Sequence, residues 1–143
     1  MAIHSLKDVL VVEDDESIRK LILHALRKAG LDCDSAGDGI PGLEKLNSGA
    51  YSVLLLDYMM PQMNGVEVLT RFKQSGRRTE ELPVVLLLTA AADREPLLPV
   101  AELVHAIIKK PFDLHALTEI VCGCVSARRH ERTAEPTDIR VEL

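Results

Sequence analysis

The sequence has no excess of positive charge and no apolar run of membrane-spanning length. Seventeen Lys and Arg residues stand against 22 Asp and Glu residues, and the formal net charge is −5. This balance gives no basic surface for nucleic acid or an anionic membrane, so we expect neither partner. The longest apolar runs are interrupted at Asp57 and at Asp93-Arg94, below the ~18 residues that a transmembrane helix needs.

Cysteine is scarce as well. The chain has three cysteines, Cys33, Cys122 and Cys124, and it does not start with a basic segment followed by an apolar one. An odd number of cysteines without a secretory leader argues against a disulfide framework and indicates a reducing, cytoplasmic protein. Cys122-Gly-Cys124 lacks the usual C-x-x-C spacing, and no second Cys or His pair complements it. We interpret both as small apolar residues of a helix.

The overall composition is that of one globular domain. Forty-seven per cent of the residues are hydrophobic and 27% are charged, and the length fits a single folded unit. From Ala127 to Leu143 the chain becomes charged and loses its periodicity, which predicts a helix end and a loose tail. We assign the domain to residues 7–126 and a charged C-terminal tail to residues 127–143.

Short apolar runs alternate with segments of helical periodicity along the chain. The third run ends in Asp57 and is apolar throughout, which is typical of a central strand covered on both faces. The second run has polar interruptions, which favours an edge strand. The predicted strands are Val9–Val12, Leu31–Ala36, Val53–Asp57, Pro83–Thr89 and His105–Lys109.

Apolar residues at helical spacing predict the elements between these strands. The helices are Ile18–Ala29 with Gly30 as a left-handed end, a short one carrying Leu43 and Leu46, Gly65–Phe72, and Leu114–Val125. Between Thr89 and Lys110, two prolines restrict a further helix to a short one with Pro99 in its first turn. The alternation predicts an α/β fold, an open parallel sheet with helices on both faces.

Polar residues collect where the predicted strands end. Each has a simple explanation as a strand end that faces a loop, but together they form a candidate site, because ligands bind outside the carboxyl ends of parallel strands. The residues are Glu13, Asp14, Asp57, Thr89 and Lys110.

Three carboxylates at one edge need a positive charge nearby. Each close pair repels by about 1 to 4 kcal/mol, depending on the effective dielectric constant. A cluster of oxygen ligands without His or Cys suits a hard cation, and Mg²⁺ better than a fully caged Ca²⁺. Lys110 adds a point charge and Thr89 a hydroxyl donor. These groups around Asp57 suit phosphoryl transfer with Asp57 as the nucleophile.

Four stretches carry a family resemblance. They resemble the motifs of the receiver domain of two-component response regulators and appear in the family's order. The stretches are VLVVEDDESIR, LLLDYMMPQMNG, VVLLLTA and IIKKPF. The resemblance covers Val9 to about Val125. It implies a flavodoxin-like, doubly wound sheet of five parallel strands in the order 2-1-3-4-5.

The resemblance also implies roles for the site residues. Asp57 would accept a phosphoryl group from a histidine kinase or phosphotransfer protein. Asp14, Asp57 and the backbone carbonyl of Met59 would bind Mg²⁺ directly, with Glu13 acting mainly through water. Thr89 and Lys110 would hold the phosphoryl oxygens.

Further expectations follow from the same resemblance. The Lys110-Pro111 bond is expected to be cis. Asp15 is expected to start the first helix, and Lys109 to be a solvated charge. The protein would be a switch that catalyses its own phosphoryl transfer rather than an enzyme. It would signal by contact with a downstream protein, as a monomer or weak dimer.

The sequence departs from the family at three positions. Ile107 stands where most receivers have an aromatic residue that swings inward when the threonine moves, which argues against this usual coupling here. Together with the two prolines, it predicts a reshaped surface at the helix between Thr89 and Lys110. Met59 and Ala91 follow Asp57 and Thr89 by two positions, and neither side chain can orient a hydrolytic water well. We therefore expect a phosphorylated form that loses its phosphate slowly.

Two other functions compete with a free-standing phosphoacceptor that docks its kinase on the first helix. The docking stripe would consist of the exposed members of Ile18, Leu21 and Ile22, although each of these residues fits a place in the core equally well. A pseudo-receiver would keep the fold and signal without phosphate; Ile107 favours it, whereas the complete set of acidic residues, Thr89 and Lys110 opposes it. A phosphohydrolase with an aspartyl-phosphate would need an acid two residues after its nucleophile, where Met59 stands.

Overall fold

A computed structural model of the chain describes residues 6–76, 82–90 and 100–133. The strands are β1 (Leu6–Val12), β2 (Cys33–Ala36), β3 (Ala50–Asp57), β4 (Val84–Ala90) and β5 (Val104–Lys110). The helices are α1 (Glu16–Lys28), α2 (Gly39–Ser48), α3 (Gly65–Gln74) and α4 (Leu114–Thr133), with a 3₁₀ turn at Ala101–Leu103. The strands form one parallel sheet in the order β2-β1-β3-β4-β5, which confirms the predicted fold.

The sheet separates two hydrophobic cores. On one face, Leu54 and Leu56 pack with Leu46 of α2 and Val68 of α3. On the other face, Val53 and Leu55 pack with residues of α1 and α4. Residues 53–56 are completely buried, as predicted for a central strand, so their apolar side chains fix the position of the residue that follows them.

Capping side chains define the starts of the first three helices. Asp15 Oδ1 accepts a hydrogen bond from the Ile18 amide at 3.0 Å, which confirms Asp15 as the start of α1. Asn64 does the same for α3, accepting from the Glu67 amide at 2.9 Å. After α1, Gly30 has φ of +89°, the predicted left-handed conformation.

The prediction for the last helix was wrong at its end, because α4 continues beyond Val125 to Thr133. Two arginines attach this extension to the rest of the domain: Arg128 donates to the Leu82 carbonyl just before β4, and Arg129 pairs with the buried Asp8 of β1. The predicted boundary between domain and tail therefore falls inside a continuous helix.

The predicted helix between Thr89 and Lys110 lies mostly outside the described residues. Of that connection, the structure describes Val100 and the 3₁₀ turn before β5. In the described ranges, α4 is the one helix of 20 residues, and no helix has an apolar stretch sufficient to cross a bilayer.

Removing the Arg129 charge tests the attachment of α4. We predict that Arg129→Ala lowers the free energy of unfolding by roughly 1–2 kcal/mol, because the buried Asp8 carboxylate loses a charged partner. Urea denaturation measures the change. Arg71→Ala removes an exposed arginine from α3 and should have little effect; equal losses in the two variants would show that the Asp8 contact contributes nothing specific.

Candidate functional site

The predicted site residues lie at the carboxyl edge of the sheet. Glu13 follows β1, Asp57 is the last residue of β3, Thr89 lies near the end of β4, and Lys110 ends β5. Strands β1 and β3 are neighbours in the sheet. The helices that follow them, α1 and α3, pack on opposite faces of the sheet. This is the position at which doubly wound folds bind ligands.

Three carboxylates converge at this edge. Glu13, Asp14 and Asp57 each offer an oxygen, and these oxygens lie within 4.8 Å of one another. Glu13 is fully buried and Asp57 is 2% exposed, whereas Asp14 is open to solvent. Two carboxylates are therefore held in the protein and the third borders the solvent.

Lys110 supplies positive charge to both buried carboxylates. Its Nζ lies 2.8 Å from Glu13 Oε1 and 3.1 Å from Asp57 Oδ1. Lys109 next to it is exposed, because successive side chains of a strand point to opposite faces. The Lys110-Pro111 bond is cis, as predicted.

These contacts shift the ionisation of the cluster. Burial, hydrogen bonds with Glu13 and Asp14, and the Glu13 charge raise the pKa of Asp57 to about 8. Burial would also raise the pKa of Asp14, but its hydrogen bonds with Asp57 and Glu13 outweigh this and lower it. Burial opposes the charged form of Lys110, but Glu13 and Asp57 raise its pKa. Without a further cation, the cluster therefore favours keeping a proton on Asp57.

The loop after Asp57 packs closely on the strand. The Tyr58 amide donates to the Leu88 carbonyl of β4, and the Gly65 amide donates to the Tyr58 carbonyl, both at 2.8 Å. A Cβ at Gly65 would lie 3.0 Å from the Asp57 carbonyl oxygen, so glycine permits this close return of the chain. Met59, between these contacts, is 56% exposed.

Arg19 is a neighbour of the site that sequence reasoning missed. Its guanidinium donates to the Glu13 carbonyl at 2.9 Å. A Cβ at Gly37 would lie 2.8 Å from Arg19 Nη1, so Gly37 leaves room for this side chain. The contact depends on how the chain turns from β1 into α1, and no local pattern in the sequence signals it.

The donor set fits a small hard cation. Every offered ligand atom is a carboxylate oxygen, and one of the three carboxylates is exposed, which leaves room for water or phosphate oxygens. Thr89 is 8% exposed, and its hydroxyl donates to the Ala90 carbonyl at 3.3 Å. Ala91, the other predicted departure near this position, lies outside the described residues.

An apolar groove borders the site. It has a volume of about 450 Å³ and lies between α1 and the segment after β5, with Pro111, Phe112 and Leu114 on one side. On α1, Leu21 is 59% exposed whereas Ile22 is buried, so the predicted docking stripe is only partly available to a partner. The role of this stripe in kinase docking stays a prediction.

Comparison with known proteins identifies the family of this site. The model of the response regulator receiver domain matches residues 9–122. The chemotaxis protein CheY of Pseudomonas aeruginosa is 34% identical over 113 residues, covering 78% of this chain and 90% of that protein. The response regulator ArlR of Staphylococcus saprophyticus is 35% identical over 112 residues, covering 76% of this chain and 48% of that protein.

Other relatives are longer than the matched region. The chain spans about half the length of ArlR and of the transcriptional regulatory protein YcbL of Bacillus subtilis.

Among solved structures, a CheY-like receiver domain from Methanospirillum hungatei has a TM-score of 0.75 at 25% identity, covering 89% of this chain and 99% of that one. CheY4 of Vibrio cholerae has a TM-score of 0.71 at 26% identity, with coverages of 84% and 99%.

The raised pKa of Asp57 predicts a pH dependence in the presence of a chelator. The folded protein binds a proton here that the unfolded chain has lost, so the stabilising contribution is complete below about pH 4 and declines as the pH rises to about 8. We predict that Asp57→Asn, which carries no charge, is more stable than the native chain by roughly 1–3 kcal/mol at the upper end of this range.

Urea denaturation across that range measures the difference between the two proteins. Asp113→Asn is the matched control, because the exposed Asp113 accepts a hydrogen bond at the start of α4 that an amide oxygen can also accept. A constant difference between Asp57→Asn and the native chain at every pH would contradict the ionisation argument.

Proposed function

The chain belongs to the family of response regulator receiver domains of two-component signalling, and we propose that Asp57 is its phosphoacceptor. In this proposal Asp57 receives a phosphoryl group from a histidine kinase or phosphotransfer protein in a Mg²⁺-dependent reaction. One observation carries the assignment: Lys110 contacts Asp57 at 3.1 Å within a cluster of three carboxylates at the carboxyl edge of the sheet.

The reaction requires an ionised, accessible oxygen on Asp57. A carboxylate oxygen attacks phosphorus, and the bond between phosphorus and the imidazole nitrogen of the donor breaks, with the electron pair going to the imidazole. Because the pKa of Asp57 is raised in the folded chain, this oxygen must lose its proton before it attacks. The rigid position of β3 then fixes the direction of attack.

The remaining residues would stabilise the negative charge of the phosphoryl group during the transfer. Asp14, Asp57 and the Met59 carbonyl would hold Mg²⁺, with Glu13 acting through water. The bound ion would neutralise phosphoryl oxygens and favour the ionised form of Asp57. Lys110 would pair with the transferred phosphoryl group, and the Thr89 hydroxyl would donate to another of its oxygens.

Signalling would then proceed by contact with a downstream protein, from a monomer or weak dimer. Ile107 is 50% exposed on β5 and has no hydroxyl to hide or expose. A change in its packing would alter the apolar surface without changing any hydrogen bond. This supports an output that differs from threonine-to-aromatic coupling.

Intact mass spectrometry after incubation with acetyl phosphate, with and without Mg²⁺, tests the acceptor. We expect the native chain to gain one phosphoryl group when Mg²⁺ is present. Asp57→Asn should gain none, because it has no carboxylate to react, while the control Asp113→Asn should behave as the native chain. A folded native chain that gains nothing would contradict the proposal and leave a binding module that signals without phosphate.

The environment of Met59 predicts a long-lived phosphorylated form. Its exposed thioether is a weak hydrogen-bond acceptor and cannot orient an attacking water well. We expect Met59→Asn, which offers an amide, to speed the loss of phosphate several-fold, and Met59→Leu to leave the rate unchanged. The rate is followed by mass spectrometry after removal of the phosphodonor with Mg²⁺ present. Equal rates in the two variants would show that this side chain does not control hydrolysis.

A further inference from the structure

The turn from β1 into α1 carries Asp14, the exposed carboxylate of the acidic cluster. Asp14 lies between Glu13, which is buried, and Asp15, which caps α1. Packing holds an exposed side chain less firmly than it holds a buried one, so the backbone of the turn has the larger share in placing Asp14. The path of this turn therefore decides where the Asp14 carboxylate stands relative to Asp57.

Hydrogen bonds hold the residues on both sides of Asp14. The Glu13 amide donates to the Ala36 carbonyl at 3.1 Å, which attaches the start of the turn to the end of β2. The Glu13 carbonyl accepts from Arg19 Nη1 at 2.9 Å, which attaches it to α1. After Asp14, the Asp15 amide donates to Glu13 Oε2 at 3.2 Å. Arg19 is thus the link from the helix back to the residue that precedes Asp14.

The Arg19 guanidinium lies against Gly37. The side chain of a helical residue points back towards the start of the helix, which brings the half-buried Arg19 over the turn. A Cβ at position 37 would lie 2.8 Å from Arg19 Nη1 and 3.3 Å from its Cζ. Any side chain larger than that of glycine at this position would therefore push the guanidinium away from the Glu13 carbonyl.

We propose that Arg19 is a positioning residue of the metal site, which holds the Glu13 carbonyl and so fixes the turn that presents Asp14 to Mg²⁺. The inference rests on the proposed function, in which Asp14 binds the ion. A guanidinium has no acceptor atom and cannot itself bind a metal ion, so Arg19 acts through the turn. Residues that hold metal ligands in place contribute strongly to metal affinity.

The positive charge of Arg19 separates positioning from simple electrostatics. A guanidinium near the carboxylates repels a cation, so the loss of its charge alone would strengthen Mg²⁺ binding. The loss of a correctly placed Asp14 would weaken Mg²⁺ binding. The two roles therefore predict changes in affinity of opposite sign.

Titration of the full chain with MgCl₂ measures this affinity without any phosphoryl transfer, through the backbone amide signals of residues 13–15 and 57–59. We expect Arg19→Gln to weaken binding roughly tenfold. Arg27→Gln is the matched control, because Arg27 of the same helix also donates to a backbone carbonyl, that of Cys33, at 3.2 Å. Cys33 begins β2 and so lies at the opposite edge of the sheet from the cluster. The control should keep the native affinity.

Gly37→Ala tests the same contact with the arginine retained. The added methyl group should displace the guanidinium and weaken Mg²⁺ binding as Arg19→Gln does. The variant with both changes should bind no more weakly than either single variant, because the two changes remove one contact. Urea denaturation of each variant establishes that it is folded under the conditions of the titration.

Three results would overturn the inference while leaving the phosphoacceptor assignment intact. They are native or tighter Mg²⁺ binding in Arg19→Gln, losses in Arg19→Gln and Gly37→Ala that add in the double variant, and an equal loss in Arg27→Gln, which would reflect a general loosening of α1. A native chain that binds no Mg²⁺ would contradict the proposed function, and the inference with it.

Discussion

The structure depends on the electrostatic balance between Lys110 and the two buried carboxylates of Glu13 and Asp57. Glu13 directly follows β1 and Asp57 ends β3, two neighbouring strands inside the sheet, where an isolated buried charge would be costly. The ammonium group between them comes from the edge strand β5 and is 97 positions from Glu13 in sequence. The parallel sheet is what brings these three strand ends to one place.

The positive charge of Lys110 balances only part of the negative charge of the cluster. One ammonium faces three carboxylates, so the fully ionised cluster retains the negative charge that one divalent cation would neutralise. Burial, together with the neighbouring carboxylates, raises the pKa of Asp57 in the free protein. A bound cation and a phosphoryl group would then redistribute the contacts of Lys110, because the lysine would have a stronger anionic partner than Asp57 alone.

Local patterns in the sequence predicted the elements whose causes are local. The unbroken apolar run before Asp57 indicated a central strand, and Gly30 indicated the end of α1. The extension of α4 could not be predicted in this way, because Arg128 and Arg129 look like solvated charges until their partners Leu82 and Asp8 are known. Asp8 and Arg129 are separated by 121 positions. The contact of Arg19 with Glu13 escaped prediction for a similar reason, since it depends on the path of a turn.

The sequence predicted which residues form the site, but not which of their charges are in contact or buried. The acidic residues, Thr89 and Lys110 could be placed at one sheet edge from the ends of their strands. Which carboxylates Lys110 contacts, and that Asp14 remains open to solvent while Glu13 is buried, depend on side-chain packing at that edge. In the proposed reaction, these details would decide where the metal ion and the phosphodonor approach.

A crystal structure of the chain grown with Mg²⁺ and beryllium trifluoride, which mimics a phosphoryl group on a carboxylate, tests the central claim most directly. The account predicts the beryllium on an Asp57 oxygen, a metal ion bound by Asp14 and Asp57, and Lys110 Nζ on a fluorine atom. A structure with both reagents present in which Lys110 still links Glu13 and Asp57, with no metal ion at the carboxylates, would contradict it.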